Sequence, residues 1–328
     1  MGIRGRAPTP SGEFCANNGR ELCHEPHEML RRLKITLQSC HRESEKGWSY
    51  AMGWFLRRFY FRFVVRRCLP EPRFGAADLE RPLTVVVPAT DKDAPALALC
   101  LRYARDMIRH PLKMVCVVAP NSSAIRRIAA ENGCTFVHED EFLPRPAADL
   151  RTRGWVIQQL IKLIACARLD TSDCLVLDSD TIFLRPQVFF RRGKTLLKFS
   201  DQYELLYNPS LELLLGTKRR FPVSFVTHHM VLNRERVALL LESIERKFNR
   251  PWFEVLIHEV NHACSVSLSE FEMYGNFVAA GSDFPRFFAL QHWRGLDSTC
   301  HTLKDFNAAR RQQLEKRYDS VSFHWYTE

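Results

Sequence analysis

Short apolar runs alternate with longer amphipathic segments through the middle of the chain. The first run, LTVVVP at 83–88, is rich in β-branched residues and ends at a proline, which is typical of a buried strand. The segment that follows, ALALCLRYARDMI at 96–108, has apolar residues at helical spacing. The alternation continues in the strand-like runs KMVCVVA (113–119), CTFVH (134–138) and CLVLDSD (174–180) and in the helix-like segments SSAIRRIAAENG (122–133) and GWVIQQLIKLIACARL (154–169). This order predicts an α/β domain with a parallel, doubly wound sheet that binds ligands at the carboxyl ends of its strands.

The pattern is less regular after residue 199. VSFVTHHMVLN (223–233) predicts a strand, and RERVALLLESIERKF (234–248) predicts a helix. EVLIHEVNHACS (254–265) favours another helix. In SLSEFEMYGNFVAAG (267–281) we expect a loop that enters a helix, because Ser269 and Glu272 have capping-box spacing.

Positive charge is concentrated near the N-terminus. The 328 residues carry a net charge of +10, and residues 1–75 contain 14 lysines and arginines against seven glutamates. We therefore predict a basic, helical extension over 1–75 and one large domain over 76–328, in which 83–186 bind nucleotide and 187–328 bind the acceptor.

Aromatic residues and arginines interleave in GWSYAMGWFLRRFYFRFVVRRC, 47–68. One interpretation is an amphipathic helix on an anionic membrane surface, and another is a helix packed on the main domain. Single-stranded nucleic acid is a weaker alternative, since no recognition motif accompanies the segment. Neither a spanning segment nor a secretory signal is apparent, so we expect a cytoplasmic protein, peripheral at the inner membrane face. The eleven cysteines include no C-x-x-C pair, and we expect them to be reduced.

Two aspartates, Asp178 and Asp180, stand at the carboxyl end of the fourth predicted strand. Carboxylate oxygens at the carboxyl end of a strand suit Mg²⁺ or Mn²⁺, which take further ligands from substrate phosphates. Asp-x-Asp pairs are common on protein surfaces, so the alternative is a pair of solvated turn residues. The apolar strand before the pair favours a metal site.

The segments WVIQQLIKL, LVLDSDTIFLRP, THHMVLN and LSEFEMYGNF together resemble the GT-A fold of nucleotide-sugar-dependent glycosyltransferases. Within that superfamily they are most similar to a largely uncharacterised bacterial family of glycosyltransferase type. The resemblance covers roughly Leu83 to Arg294. It implies a metal-dependent transferase that takes a sugar from a nucleotide-diphosphate donor to a glycan or lipid-linked acceptor.

The resemblance also implies roles for individual residues. The loop from Pro88 to Asp93, including Thr90, would hold the donor nucleotide. Asp178 would lie near the ribose or the metal, Ser179 near the donor, and Asp180 on the metal.

Further donor and metal residues are chosen by residue type. Lys162 and Arg294 are candidates for stabilising the charge of the departing nucleoside diphosphate, although a surface role is equally compatible with each. His292 is the favoured third metal ligand, with His324 as the alternative. A buried or stacked histidine is the ordinary explanation for either residue.

An inverting mechanism also needs a base on the acceptor side. Glu270 is preferred over Glu272, which has the capping-box role. A retaining enzyme would not require that base. His228 and His229 are expected on a strand at the active end of the sheet, where either could touch a substrate or serve the core.

The motif HEVNH, His258 to His262, raises the alternative of a zinc hydrolase. The extended protease motif is missing after His262, which disfavours that function. A nucleotidyltransferase is a second alternative, but the loop PATDKD contains no glycine. A noncatalytic protein that binds nucleotide-sugars or glycans is the third. We expect no specific nucleic-acid partner.

Overall fold

A computed structural model describes residues 52–53, 55–56, 59–60, 74–200, 207–221, 223–260, 268–297 and 303–323. The chain divides into two units, Met1–Tyr60 and Phe61–Glu328. In the first unit the six described residues are helical, and the rest of the predicted segment 47–68 lies outside the described residues. The predicted boundary between residues 75 and 76 stays a prediction. None of the helices in the described ranges has the length and apolar character needed to cross a membrane.

The second unit contains a five-stranded central sheet flanked by helices. Its strands are β1 (Leu83–Pro88), β2 (Leu112–Ala119), β3 (Thr135–His138), β4 (Asp173–Leu177) and β8 (His229–Asn233), in the order β3-β2-β1-β4-β8. The first four strands are mutually parallel, whereas β8 runs antiparallel to β4. The predicted α/β class with a mostly parallel sheet is confirmed.

Helices cover both faces of this sheet. Those of the second unit are α1 (Ala76–Leu79), α2 (Ala94–Met107), α3 (Ser123–Glu131), α4 (Glu139–Phe142), α5 (Ala147–Leu150), α6 (Gly154–Arg168), α7 (Asn208–Leu215), α8 (Arg234–Phe248), α9 (Trp252–His258), α10 (Glu270–Ala280), α11 (Phe284–Phe287) and α12 (Ala308–Glu315). Along β1, Val86 packs in the core with α6, α8 and α10, while Val85 and Val87 pack in the core with α2 and α3. Full burial of each such side chain contributes about 1.5–3 kcal/mol, which explains why β-branched runs occupy these strands.

Two small sheets complete the domain. One joins β10 (Gly295–Asp297), β11 (Ser320–Ser322) and β5 (Thr181–Phe183). The other joins β6 (Phe190–Arg191), β7 (Lys194–Phe199) and β9 (Phe288–His292). The first of them positions the site directly, because β5 begins one residue after Asp180.

Two predicted elements after residue 199 differ from the structure. The strand expected over 223–233 begins only at His229, because His228 has a left-handed backbone with φ of 60° that breaks the extended chain. The helix expected over 254–265 covers Trp252–His258 instead, and residues 261–267 lie outside the described residues.

Candidate active site

The turn after β4 carries both aspartates of the Asp-x-Asp pair. The Asp178 N–H donates to the His228 carbonyl over 2.9 Å, and the Thr181 N–H donates to the Asp178 carbonyl over 3.1 Å. On the other side, the Phe323 N–H donates to the Asp180 carbonyl over 3.0 Å. Ser179 is buried between two half-buried aspartates. Neighbouring backbone therefore fixes the turn at the carboxyl edge of the sheet.

The carboxylate of Asp178 has two side-chain partners. The Lys162 ammonium lies 2.5 Å from Oδ1, and the His228 Nδ1 lies 3.0 Å from Oδ2. Burial raises the pKa of Asp178, but Lys162 and His228 outweigh that effect and hold it well below its ordinary value. Asp178 is therefore a fixed anion whose two oxygens are both engaged.

Lys162 links Asp178 to Glu270 on helix α10. It lies on α6, is buried, and its Nζ is 2.6 Å from Oε1 of Glu270. Burial lowers the pKa of Lys162, but the two carboxylates raise it by more, so the ammonium stays charged. The sequence placed all three residues in the site, and the structure brings them together in one ion-paired cluster.

Glu270 begins helix α10. Its backbone N–H donates to the Gln159 side chain over 3.0 Å, and Ser269 caps the same helix by accepting from the Glu272 N–H over 3.3 Å. Glu270 is only 2% exposed, and burial raises its pKa. A role as general base, which stays a prediction, would require a movement that exposes this carboxylate to the acceptor.

Glu272, the other predicted acid, lies in a different environment. Its carboxylate accepts hydrogen bonds from four groups: the Arg219 guanidinium (2.9 Å), the Ser224 hydroxyl (2.7 Å), the Phe225 backbone N–H (3.3 Å) and the Asn276 amide (3.0 Å). Burial raises its pKa despite these partners. This arrangement favours a structural role. Sequence analysis missed the buried Arg219 that pairs with it, and no motif around that residue marks it.

The adjacent histidines His228 and His229 have different neighbours. His228 contacts Asp178, whereas the ring of His229 packs edge-on against Phe183, Phe189 and Trp293. Burial lowers the pKa of His229 well below its ordinary value, which keeps the ring neutral. Of these two histidines, His228 therefore lies in the candidate site and His229 belongs to the core.

The loop after β1 lies at the same edge of the sheet as the aspartates. Asp93 accepts from the backbone N–H and the hydroxyl of Thr90, over 2.8 and 3.1 Å. Burial raises the pKa of Asp93, and the negative charge of Asp180 adds to that effect. Asp93 thus shapes the loop through Thr90.

A cavity of about 250 Å³ opens beside this loop. Its walls come from the ends of the first three strands and the start of α6, and they are formed by Pro88, Ala89, Thr90, Val118, Pro120, Glu139, Ala147, Thr152, Gly154, Ile157, Gln158 and Ile161. Two of the predicted donor-binding residues, Pro88 and Thr90, line it. Apolar walls with a few polar groups are typical of a small-molecule pocket.

Arg294 and His292 each contact a residue that the sequence analysis did not single out. The Arg294 guanidinium pairs with Asp319 over 2.9 Å, and the ring of His292 lies 5.5 Å from that of Phe199. Within the described ranges, no three His, Cys, Asp or Glu side chains lie close enough together to hold a metal ion. His324 lies outside the described residues. It directly follows Phe323, whose N–H binds the Asp180 carbonyl.

The described part of the zinc motif, residues 258–260, is not one continuous helix. Helix α9 ends at His258, and Glu259 pairs with Arg250 over 2.5 Å. A zinc hydrolase holds both histidines of HEVNH one turn apart on a single helix. Glu259 and Val260 do not continue helix α9, while Asn261 and His262 lie outside the described residues.

Comparison with solved structures finds similar enzymes at low identity. Glucosyl-3-phosphoglycerate synthase from Mycobacterium tuberculosis, in complex with Mn²⁺, uridine diphosphate and glucosyl-3-phosphoglycerate, has a TM-score of 0.36 and 16% identity, over 57% of this chain and 74% of that chain. Galactosyltransferase LgtC, in complex with donor and acceptor sugar analogs, has a TM-score of 0.40 and 12% identity, over 74% of this chain and 87% of that chain.

Comparison of the sequence with protein-family models assigns the chain to a family. No curated protein matches the chain. The model of one protein family matches residues 101–328, which is more than half of the chain. The chain therefore belongs to the family of unknown function DUF6492.

Proposed function

We propose that the protein is a metal-dependent glycosyltransferase that takes a sugar from a nucleoside-diphosphate donor. The observation that carries the proposal is the ion-paired cluster of Lys162, Asp178 and Glu270 at the edge of the sheet that also bears Asp180 and the cavity. A donor that spans this edge would place its nucleoside in the cavity. Its diphosphate would then lie at the turn that carries Asp180.

We assign a divalent cation to Asp180, the residue on which the resemblance places the metal. Both Asp178 oxygens are engaged by Lys162 and His228, so Asp178 holds the turn in place beside it. Phosphate oxygens of the donor would supply further ligands, and His292, with His324 as the alternative, stays the candidate for a third ligand from the protein. Mn²⁺ or Mg²⁺ bound there would supply positive charge to the departing nucleoside diphosphate without a proton transfer.

In this proposal the ion-paired side chains hold one another in position beside the metal site. Lys162 holds Asp178 in one orientation, and Glu270 holds Lys162 from the acceptor side. Because Glu270 is buried, we assign it this positioning role ahead of the base role predicted from the sequence. An inverting outcome and a glycan or lipid-linked acceptor remain part of the proposal, and proton NMR of the anomeric centre of the product would test the former.

Thermal unfolding with nucleotides tests the proposal. UDP, GDP, CDP and TDP are each added with Mn²⁺, Mg²⁺ or EDTA to the wild type, Asp180→Ala and the control Asp106→Ala, an exposed residue on α2. A ligand at about 100 times its Kd stabilises the folded state by about 2.7 kcal/mol. We expect a metal-dependent increase in Tm of about 5 °C or more for one nucleotide in the wild type and the control. Asp180→Ala should lose the increase.

Other outcomes would assign the protein differently. Stabilisation by Zn²⁺ alone that disappears in His258→Ala would favour the hydrolase. Nucleotide binding without release of nucleoside diphosphate from any nucleotide-sugar would favour a noncatalytic binding protein. An equal Tm increase in wild type and Asp180→Ala would refute the role of Asp180.

A further inference from the structure

The helical stretch in the first unit has an exposed apolar face. Met52, Leu56, Phe59 and Tyr60 are 53, 57, 41 and 52% exposed. Spacings of three and four residues place Met52, Leu56 and Phe59 on one side of a helix, with Tyr60 beside them. Phe55 stacks on Phe59 with ring centroids 6.2 Å apart, which helps to hold that ring in place.

Several large apolar side chains exposed on one helical face mark a docking surface. Isolated exposed hydrophobic residues are ordinary, but these four, which we call the stripe, lie within nine residues and on one side of the helix. Two of the four are aliphatic or thioether side chains, which do not stack on nucleic-acid bases as aromatic rings do. The composition of the stripe therefore favours a hydrocarbon environment over single-stranded nucleic acid.

The charge of the surrounding sequence identifies the partner. Residues 47–68 contain five arginines and no acidic residue, and residues 1–75 carry most of the net positive charge of the chain. Arginine and lysine beside an apolar helical face attract anionic lipid headgroups, while the apolar face enters the boundary between headgroups and acyl chains. Charge and apolar surface thus match the same partner.

We propose that this helix binds the surface of an anionic lipid bilayer through Met52, Leu56, Phe59 and Tyr60. The interaction is peripheral, because the apolar face lies in the plane of the interface. It does not depend on the proposed transferase activity, since no residue of the helix belongs to the candidate active site.

Flotation with lipid vesicles tests this proposal on the full chain. Vesicles of phosphatidylcholine with about 30 mol % phosphatidylglycerol are compared with vesicles of phosphatidylcholine alone. The double variant Leu56→Glu with Phe59→Glu should lower partitioning into the anionic vesicles at least about tenfold, because two apolar anchors become charged. The matched control is Leu239→Glu on α8, a residue with 44% exposure, and it should bind like the wild type.

Three results would overturn the proposal. The first is a wild type that does not float with anionic vesicles, as expected if the helix packs on its own domain. The second is equal flotation of the double variant and the wild type. The third is binding of a single-stranded oligonucleotide that excess vesicles do not displace. If circular dichroism shows that the double variant is misfolded, Leu56→Gln with Phe59→Gln replaces it, with the same expected loss. Nucleotide-dependent Tm increases, measured in parallel, report on the proposed function separately.

Discussion

Two buried lysines in the domain have opposite electrostatic environments. Lys162 and Lys198 are 4% and 6% exposed, so burial alone disfavours the charged form of both. Lys162 contacts two carboxylates, and its pKa is raised. Lys198 on β7 donates to the Gln187 side chain over 2.6 Å and lies 4.5 Å from the centre of the Phe189 ring. Burial lowers its pKa to about 8.

The comparison shows which of the two charges the fold maintains. A buried ammonium is stable when carboxylates surround it, and the anions are in turn held by the cation. Lys162 meets that condition in the candidate active site. Lys198 instead faces an amide oxygen and an aromatic ring. The negative charge of Asp319 offsets only part of the effect of burial on the pKa of Lys198. The folded state stabilises the charge of Lys162 in the candidate site, whereas the charge of Lys198 destabilises the folded state.

The largest difference should appear when each lysine is replaced by methionine. Lys162→Met leaves the buried Glu270 and the half-buried Asp178 without their shared cation, and we expect the free energy of unfolding to fall by about 3–5 kcal/mol. Lys198→Met removes a poorly compensated charge and should leave stability at pH 7 equal to or above that of the wild type. Urea denaturation of both variants measures the contrast. Equal losses in the two variants would show that the comparison is wrong.

The pH dependence of stability sharpens the same contrast. The pKa of Lys198 is about 8 in the folded protein and about 10.4 in an unfolded chain, so the folded state binds fewer protons between these values. The wild type should therefore gain stability relative to Lys198→Met as pH rises through this window, by up to about 3 kcal/mol. Parallel urea titrations at intervals from neutral pH to about pH 10 measure the difference. A constant difference between the two proteins would mean that Lys198 does not titrate in this range.

A smaller effect separates the two roles considered for Glu270. If Glu270 acts through Lys162, Glu270→Gln should weaken metal-dependent nucleotide binding about tenfold, equivalent to one charge-assisted hydrogen bond of about 1.5 kcal/mol. Isothermal titration calorimetry measures the Kd, with Asp106→Ala as the control. Unchanged binding together with a loss of sugar transfer would instead assign Glu270 as the general base.

The sequence predicts those elements whose pattern is set locally. Strand β1 has the predicted bounds because a β-branched run ends at Pro88, and α8 has the predicted bounds because Asn233 caps it through the Arg236 N–H. The strand before α8 was predicted six residues too long. No local pattern reveals that His228 adopts a left-handed backbone to reach Asp178.

The sequence predicted residues of the candidate site but not the contacts between them. Lys162, Asp178 and Glu270 were singled out for separate reasons, and their ion pairs depend on the packing of α6 against α10. Arg219 escaped prediction because its partner Glu272 lies 53 positions further along the chain. Such long-range pairing has no signature in spacing or composition.

The antiparallel strand β8 also has a consequence for folding of the nascent chain. Strands β1 to β4 are complete by Leu177, but β4 acquires its outer partner only when residues 229–233 have been synthesised. Until then an apolar strand edge stays open, and such edges are sites of aggregation. The same delay postpones contact of Asp178 with His228 and of Lys162 with Glu270. A chain truncated between β4 and β8 would thus expose an unpaired strand edge and lack the contacts that His228 and Glu270 make in the candidate site.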